Sequence, residues 1–351
     1  MRRELLIATL AACGAGDDER CTIAGDGPGV DPSGEFCERL STYRLFDDLA
    51  AQAPAQGVRS YDVNTPLFSD YTIKSRFVWL PPGAAMTWSD ADAFEFPPGA
   101  VVIKTFAYPV DRRDPGLGRR LLETRLLVRG DDAWTGAAYV YDADGREARL
   151  AIAGAFLDTA WIHDDGSERT NHYAVPNKNQ CKNCHAEHND AVDLLGPKAR
   201  HLNRGDQLQG LIDGHALVDA PPASQWPRAP VATDPASGTL DERARAWLDI
   251  NCAYCHNSNG GAARTSGLFL DILQTDLSKM GRCKAPIAAG RGSGGRAYGI
   301  VPGNPDASIL VYRLESTEPE IKMPELGRNV VDAEGVALIR EWIAELPGSC
   351  D

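Results

Sequence analysis

Four cysteines and two histidines fall into two copies of one pattern, Cys181-Lys182-Asn183-Cys184-His185 and Cys252-Ala253-Tyr254-Cys255-His256. Two thiols three positions apart lie on one helical turn, so both can add to vinyl groups of a single porphyrin. The adjacent histidine then falls beneath the iron as an axial ligand. C-x-x-C-H is the sequence of covalent c-type haem attachment. With 9 Cys and 7 His among 351 residues, one accidental match is expected roughly 0.005 times and two about once in 10⁵. The spacing predicts two c-type haems, with iron held by His185 and His256. Zinc also takes C-x-x-C pairs, but these pairs begin 71 residues apart, at 181 and 252, and both run on into histidine. A thioredoxin-like pair needs no terminal histidine and would follow a βαβ pattern that is lacking here.

Around the second motif the sequence writes helices. Thr239-Leu240-Asp241-Glu242 is a capping box, and Leu240, Ala244, Trp247 and Leu248 share one face leading into Cys252. Asn304-Pro305 opens another helix with Ile309, Leu310 and Leu314 inward. Asp332 caps a third, whose stripe is Val336, Ile339, Trp342, Ile343 and Leu346. Met323 sits in the loop between the last two, before Pro324. Its thioether is the expected sixth ligand of the His256-bound iron, against the commoner use of methionine as a gap filler. Gly290-Arg291-Gly292-Ser293-Gly294-Gly295-Arg296 lacks the Lys-Ser/Thr of a phosphate loop. Arg291 or Arg296 is instead expected near a haem propionate.

The first motif is followed by only one short helical stretch, Asp206 to Ile212, so the preceding residues must wall its haem. They are β-branched and aromatic runs: Phe77 to Leu80, Val101 to Phe106, Leu121 to Val128 and Tyr139 to Tyr141, punctuated by Pro81-Pro82-Gly83 and Pro97-Pro98-Gly99. The sixth ligand of this iron stays open among His163, His172, His201, His215, Met86 and Met280, or the position is vacant. His188, three residues after His185, projects from the same helical face and cannot reach the far side of the ring. The expected fold class is α+β and multidomain: a β-rich N-terminal domain of sandwich or barrel type, a first haem-binding segment, and a helical domain like class I cytochromes c.

Arg2 and Arg3 precede the apolar run Leu5 to Ala12, and Leu10-Ala11-Ala12-Cys13 matches a bacterial lipobox, with Glu4 an unwelcome charge. The expected divisions are a signal peptide 1–12, a lipidated tether 13–40, the β-rich domain 41–175, the first haem segment and linker 176–235, and the second haem domain 236–351. Export to the periplasm or outer membrane follows, with membrane contact only through the lipid. Beyond the first dozen residues no run of about 18 apolar residues could span a bilayer. In that oxidising compartment Cys21, Cys37, Cys283 and Cys350 have three possible pairings; Cys21 with Cys37 and Cys283 with Cys350 are the expected ones. Thirty-six basic against 49 acidic residues give a net charge of −13 and no basic patch, which argues against nucleic acid.

Further stretches carry a resemblance: Asn64-Thr65-Pro66-Leu67-Phe68-Ser69-Asp70, Tyr173-x-Val175-Pro176-Asn177-x-Asn179-Gln180-Cys181, Leu195 to Arg200, Val301-Pro302-Gly303 and Met323-Pro324-Glu325-Leu326-Gly327. In these the chain resembles exported bacterial dihaem c-type cytochromes of the Shewanella type, from Asn64 to Trp342; the Cys21 and Cys37 segment lies outside the match. The resemblance implies haem binding at Cys181, Cys184, His185, Cys252, Cys255 and His256, and electron transfer to a redox partner protein. It offers a neighbouring parallel β-helix protein as one candidate partner. The leading expectation is therefore an electron carrier rather than a catalyst. The alternative is a dihaem peroxidase with an open position on the first iron, disfavoured by a β-rich front half.

Overall fold

The β-branched runs become strands, and they assemble into one open sheet. A computed structural model describes residues 21, 23–33, 35–185 and 192–350 of the chain. Its strands are β1 (Phe46–Asp48), β2 (Ala53–Pro54), β3 (Val58–Tyr61), β4 (Ile73–Trp79), β5 (Met86–Thr87), β6 (Val101–Pro109), β7 (Arg119–Arg129), β8 (Trp134–Tyr141), β9 (Ala148–Leu150), β10 (Ala155–Ile162), β11 (Glu168–Val175) and β12 (Leu217–Val218). Six of them form an antiparallel sheet in the order β3-β4-β6-β7-β8-β9, while β10 and β11 make a separate hairpin. The helices are α1 (Cys181–His185), α2 (Ala199–Leu202), α3 (Gln207–Asp213), α4 (Leu240–Asn251), α5 (Ala263–Ser266), α6 (Ile309–Glu315) and α7 (Ala333–Glu345).

Strand alternation gives the sheet two covered faces. Phe77, Trp79, Val101, Ile103 and Leu126 pack on Cys37, Leu40 and Tyr43. Ile23, Cys37 and Leu40, in the stretch expected as a tether, are thus core residues, and a Cys21–Cys37 disulfide closes the segment. Val78 and Val102, on the opposite face, meet Leu202, Leu208 and Leu211 from α2 and α3. Cys283 and Cys350 are joined as well.

The expected fold class is not what forms. The β region is neither sandwich nor barrel but an open six-stranded sheet that dominates the molecule. No helical class I-like cytochrome c domain follows it. The capping box at Thr239 and the Asp332 cap do place α4 and α7, while the helix expected to open at Asn304-Pro305 forms a 3₁₀ turn there and α6 begins only at Ile309. α4 packs on α7 through Trp247, Leu248, Ile339 and Trp342. Between Cys252 and Ile309, however, the described residues hold one four-residue α-helix and short 3₁₀ turns. Glycine-rich sequence favours loops there, since glycine loses most entropy on entering a helix.

This helical part is not a separate body, because residues 64–70 stitch it to the sheet. Asn64 Nδ2 donates to the carbonyls of Arg200 (3.2 Å) and Ala229 (2.7 Å). Thr65 Oγ1 bonds Pro230 O and Ala232 N. Phe68 N donates to Asn251 Oδ1 (2.8 Å), and the Asp70 carboxylate accepts from Asn329 N (2.6 Å) and Val330 N (3.0 Å). A buried ionic cluster adds to the seam: Asp249 of α4, its side chain 2% exposed, accepts from Arg200 Nε (2.9 Å) and His201 Nε2 (2.7 Å) of α2. Burial opposes ionisation of Asp249, but His201 and Arg200 outweigh it and hold the carboxyl well below its usual range. Asp249→Ala leaves an uncompensated buried cation and is expected to cost about 3–5 kcal/mol in denaturant unfolding at neutral pH. Because the folded-state pKa is depressed, the stabilisation from Asp249 is present above its unfolded value of about 3.9 and is lost as pH falls below it. Unfolding curves of wild type and variant should therefore converge in acid.

Candidate functional site

Local sequence fixes where the first motif begins. The β11 strand ends at Val175, Pro176 cannot donate to a ladder, and Asn177 then caps the turn into α1. Asn177 Oδ1 accepts from Gln180 N, while Gln180 Oε1 accepts from Asn177 N, each at 2.9 Å. The motif lands on the sheet at Gly136 of β8. A Cβ there would lie 2.9 Å from Leu127 Cδ2 and 3.9 Å from Cys181 Sγ, so glycine admits the close approach. After the motif the chain returns over the sheet end, where Val192 bridges to Trp134. His185 Nδ1 bonds the carbonyl of Asp193 at 2.8 Å. That contact makes Nδ1 the donor and leaves Nε2 with its lone pair. Burial pushes the imidazole pKa down to about 4, so the ring is neutral at pH 7.

The second motif follows directly on α4, with Cys252 as its C-cap. Cys252 N bonds Leu248 O, and His256 N bonds Cys252 O at 2.9 Å, which closes a separate turn over both thiols. The Thr239 and Glu242 capping box starts this helix, and Trp247 Nε1 donates to Asp332 Oδ2 of the α7 cap (3.1 Å). His256 Nδ1 bonds Ser266 Oγ at 3.1 Å, and its pKa too is lowered by burial to about 4. Burial also pushes the thiols of Cys252 and Cys255 up to about 12.

The structure brings the two motifs together. Cys255 Sγ lies 3.7 Å from the carbonyl of Asn183, across 72 residues of sequence. Cys184 and Glu325 are both close enough to raise the pKa of the Tyr254 phenol, after burial itself. All four thiols are free, while the other four cysteines of the described residues are paired. They do not gather as a tetrahedral metal centre would require. The one group of three or more metal-ligating atoms within 4.8 Å of each other, among the described residues, is His163, Asp164 and Glu334. There Asp164 is already paired with Arg112 and Glu334 with the Tyr71 hydroxyl. Each C-x-x-C-H set instead presents two thiols and one neutral imidazole in a single turn, which suits two thioethers and one axial bond to a tetrapyrrole.

Met323 lies in a recess with Phe68, Trp247, Asn251, Leu314 and Arg328, beside the end of α4 that leads into Cys252. Arg328 was not legible as a functional residue. It is 3% exposed and donates to the carbonyls of Met323 (2.9 Å), Arg313 (3.0 Å), Leu314 (3.0 Å) and Ser316 (2.9 Å), tying the methionine loop to the C-terminal carbonyls of α6.

Five of the six residues considered for the first iron's sixth position have another engagement, and the sixth, His215, is exposed. His172 bonds Asp158 and stacks on Phe156, His201 bonds Asp249, and His163 packs against the Tyr71 ring. His215 is exposed in left-handed backbone, and Met86 and Met280 fill apolar clusters. His188 lies outside the described residues, as does the lipobox. In the glycine loop, where Arg291 or Arg296 was expected near a propionate, Arg291 pairs with Glu320 (2.6 Å) and Arg296 lies over the Tyr312 ring. No family model, curated protein or solved structure matches the chain.

Proposed function

We propose that the chain is an exported dihaem c-type cytochrome that transfers electrons, and the observation that carries this is the folding of two C-x-x-C-H turns against each other. Each haem, when bound, supplies an iron that cycles between ferric and ferrous. The chain does the rest. Cys181 and Cys184 hold one haem, Cys252 and Cys255 the other, and His185 and His256 are the axial ligands. The bond from His185 Nδ1 to Asp193 O orients the ring and raises the basicity of Nε2. Met323, held by Arg328, is the sixth ligand of the second iron, which raises its potential relative to bis-histidine ligation. With Cys255 Sγ 3.7 Å from the Asn183 carbonyl, the two attachment turns would hold their haems near each other.

Two disulfides fit an oxidising compartment. The absence of a shared cluster of the motif thiols, among the described residues, speaks against zinc. No helix of the described residues is long and apolar enough to cross a membrane. The Leu10-Ala11-Ala12-Cys13 lipobox is the ground for proposing a lipid on Cys13 as the anchor. A redox protein is the proposed partner. Intact-mass measurement and a pyridine haemochrome assay on protein matured with a c-haem attachment system should find two covalent haems per chain. A colourless protein with no added tetrapyrrole, or one loaded with zinc, would refute the reading.

A further inference from the structure

The geometry points to Lys104 and Lys74, with Arg76 beside them, as the seat for the propionates of the haem at Cys181 and Cys184; this rests on the proposed haem binding. Cross-strand register puts Arg76 of β4 opposite Lys104 of β6, and Lys104 opposite Arg125 of β7. Lys74 stands two residues from Arg76 and so projects from the same face. Gly136, where Cys181 touches the sheet, is on that face as well, because Leu127 pairs with Gly136 as Arg125 pairs with Ala138. Four cations on three neighbouring strands repel one another, and like charges directly opposite are destabilising.

Two of the four are neutralised within the fold: Arg76 by Asp62 (3.0 Å) and Arg125 by Glu123 (2.6 Å). Lys104 and Lys74 bond no carboxylate among the described residues. The Lys104 ammonium lies over the Phe106 ring at 5.0 Å and feels Glu123 without bonding it, and Lys74 feels Asp70 and Asp332 without bonding either. Both side chains are half-buried. That burial is the chief reason their ammonium groups give up a proton more readily than usual. Half-buried cations without a carboxylate partner call for an anion. A haem fixed at the first motif brings two carboxylates to this face, where Lys104 and Arg125 already act on His185 and Cys184. Nothing local in the sequence marks this, since Lys104 is a single charge in an apolar run and Lys74 and Arg76 alternate along another strand as a solvent face would.

The test uses the mature holoprotein. Spectroelectrochemical titration compares wild type with Lys104→Gln, Lys74→Gln/Lys104→Gln and Lys104→Arg. A cation beside the propionates disfavours the extra positive charge of ferric iron. One haem potential should therefore fall in Lys104→Gln, fall further in the double variant and return towards wild type in Lys104→Arg, with haem content and the low-spin spectrum unchanged. Two haem potentials that stay put in the double variant would overturn the assignment. Loss of the low-spin spectrum in Lys104→Gln would also overturn it, because the amine would then be an iron ligand. A wild-type chain that carries no haem by mass defeats the dihaem reading itself, and is seen before any titration.

Discussion

Cys181→Ser/Cys184→Ser protein is expected to leave the attachment system with one covalent haem instead of two, and intact mass should fall by one haem relative to wild type. Serine keeps the shape of α1 but has no sulfur to add across a vinyl group, so the change removes the bond and not the turn. The effect should be all-or-none at that site. A haem c left on a single thiol would give one thioether, so each single serine variant should retain both haems with a shifted visible spectrum. The second haem should also report the loss, since Cys255 Sγ rests against Asn183 of the first motif. A double variant that still weighs as much as a dihaem protein would show that these thiols are not the anchors.

Met323→Ala is expected to abolish the red charge-transfer band of a methionine-bound ferric haem while both haems stay attached. It should lower one midpoint potential by on the order of 100 mV, well within the ~0.8 V that axial ligands command. The variant removes a sulfur from the recess beside Trp247 and Asn251 without disturbing the carbonyls that Arg328 holds. Survival of the band would assign the sixth position to another group. Potentiometry then separates a ligand from a gap filler, because loss of packing alone lowers stability and leaves the potential nearly in place.

Much of the site was legible because its chemistry is local. A thiol, three steps, a thiol and an imidazole need only one turn to work, and the helix leading into the second copy announces itself by its Thr239 and Glu242 cap. The long strands were legible for the same reason, as apolar runs between turn residues. What the sequence hid is what only packing decides. The β10 and β11 hairpin shows little apolar alternation, with Phe156 69% exposed, so nothing marked it as strand. Arg328 and Lys104 read as ordinary charges until the fold buries the one and half-buries the other. The helical domain expected after residue 236 failed because capped stripes locate individual helices and say nothing of the long irregular stretches between them. Nor could alternation along strands distinguish an open sheet from a closed barrel.

The stretch from Asn64 to Asp70 carries a cost in folding time. Its hydrogen bonds from Asn64 to Arg200 and from Asp70 to Val330 span 136 and 260 residues of sequence, and partners so remote close only after large loops have been ordered, which slows a chain. Synthesis must have passed Val330 before the last of them can form. A fragment ending before Asn329 would leave the Asp70 carboxylate with the Asn171 side-chain amide but without its two backbone donors, so shortening at the C-terminal side loosens a seam at the other end of the sequence.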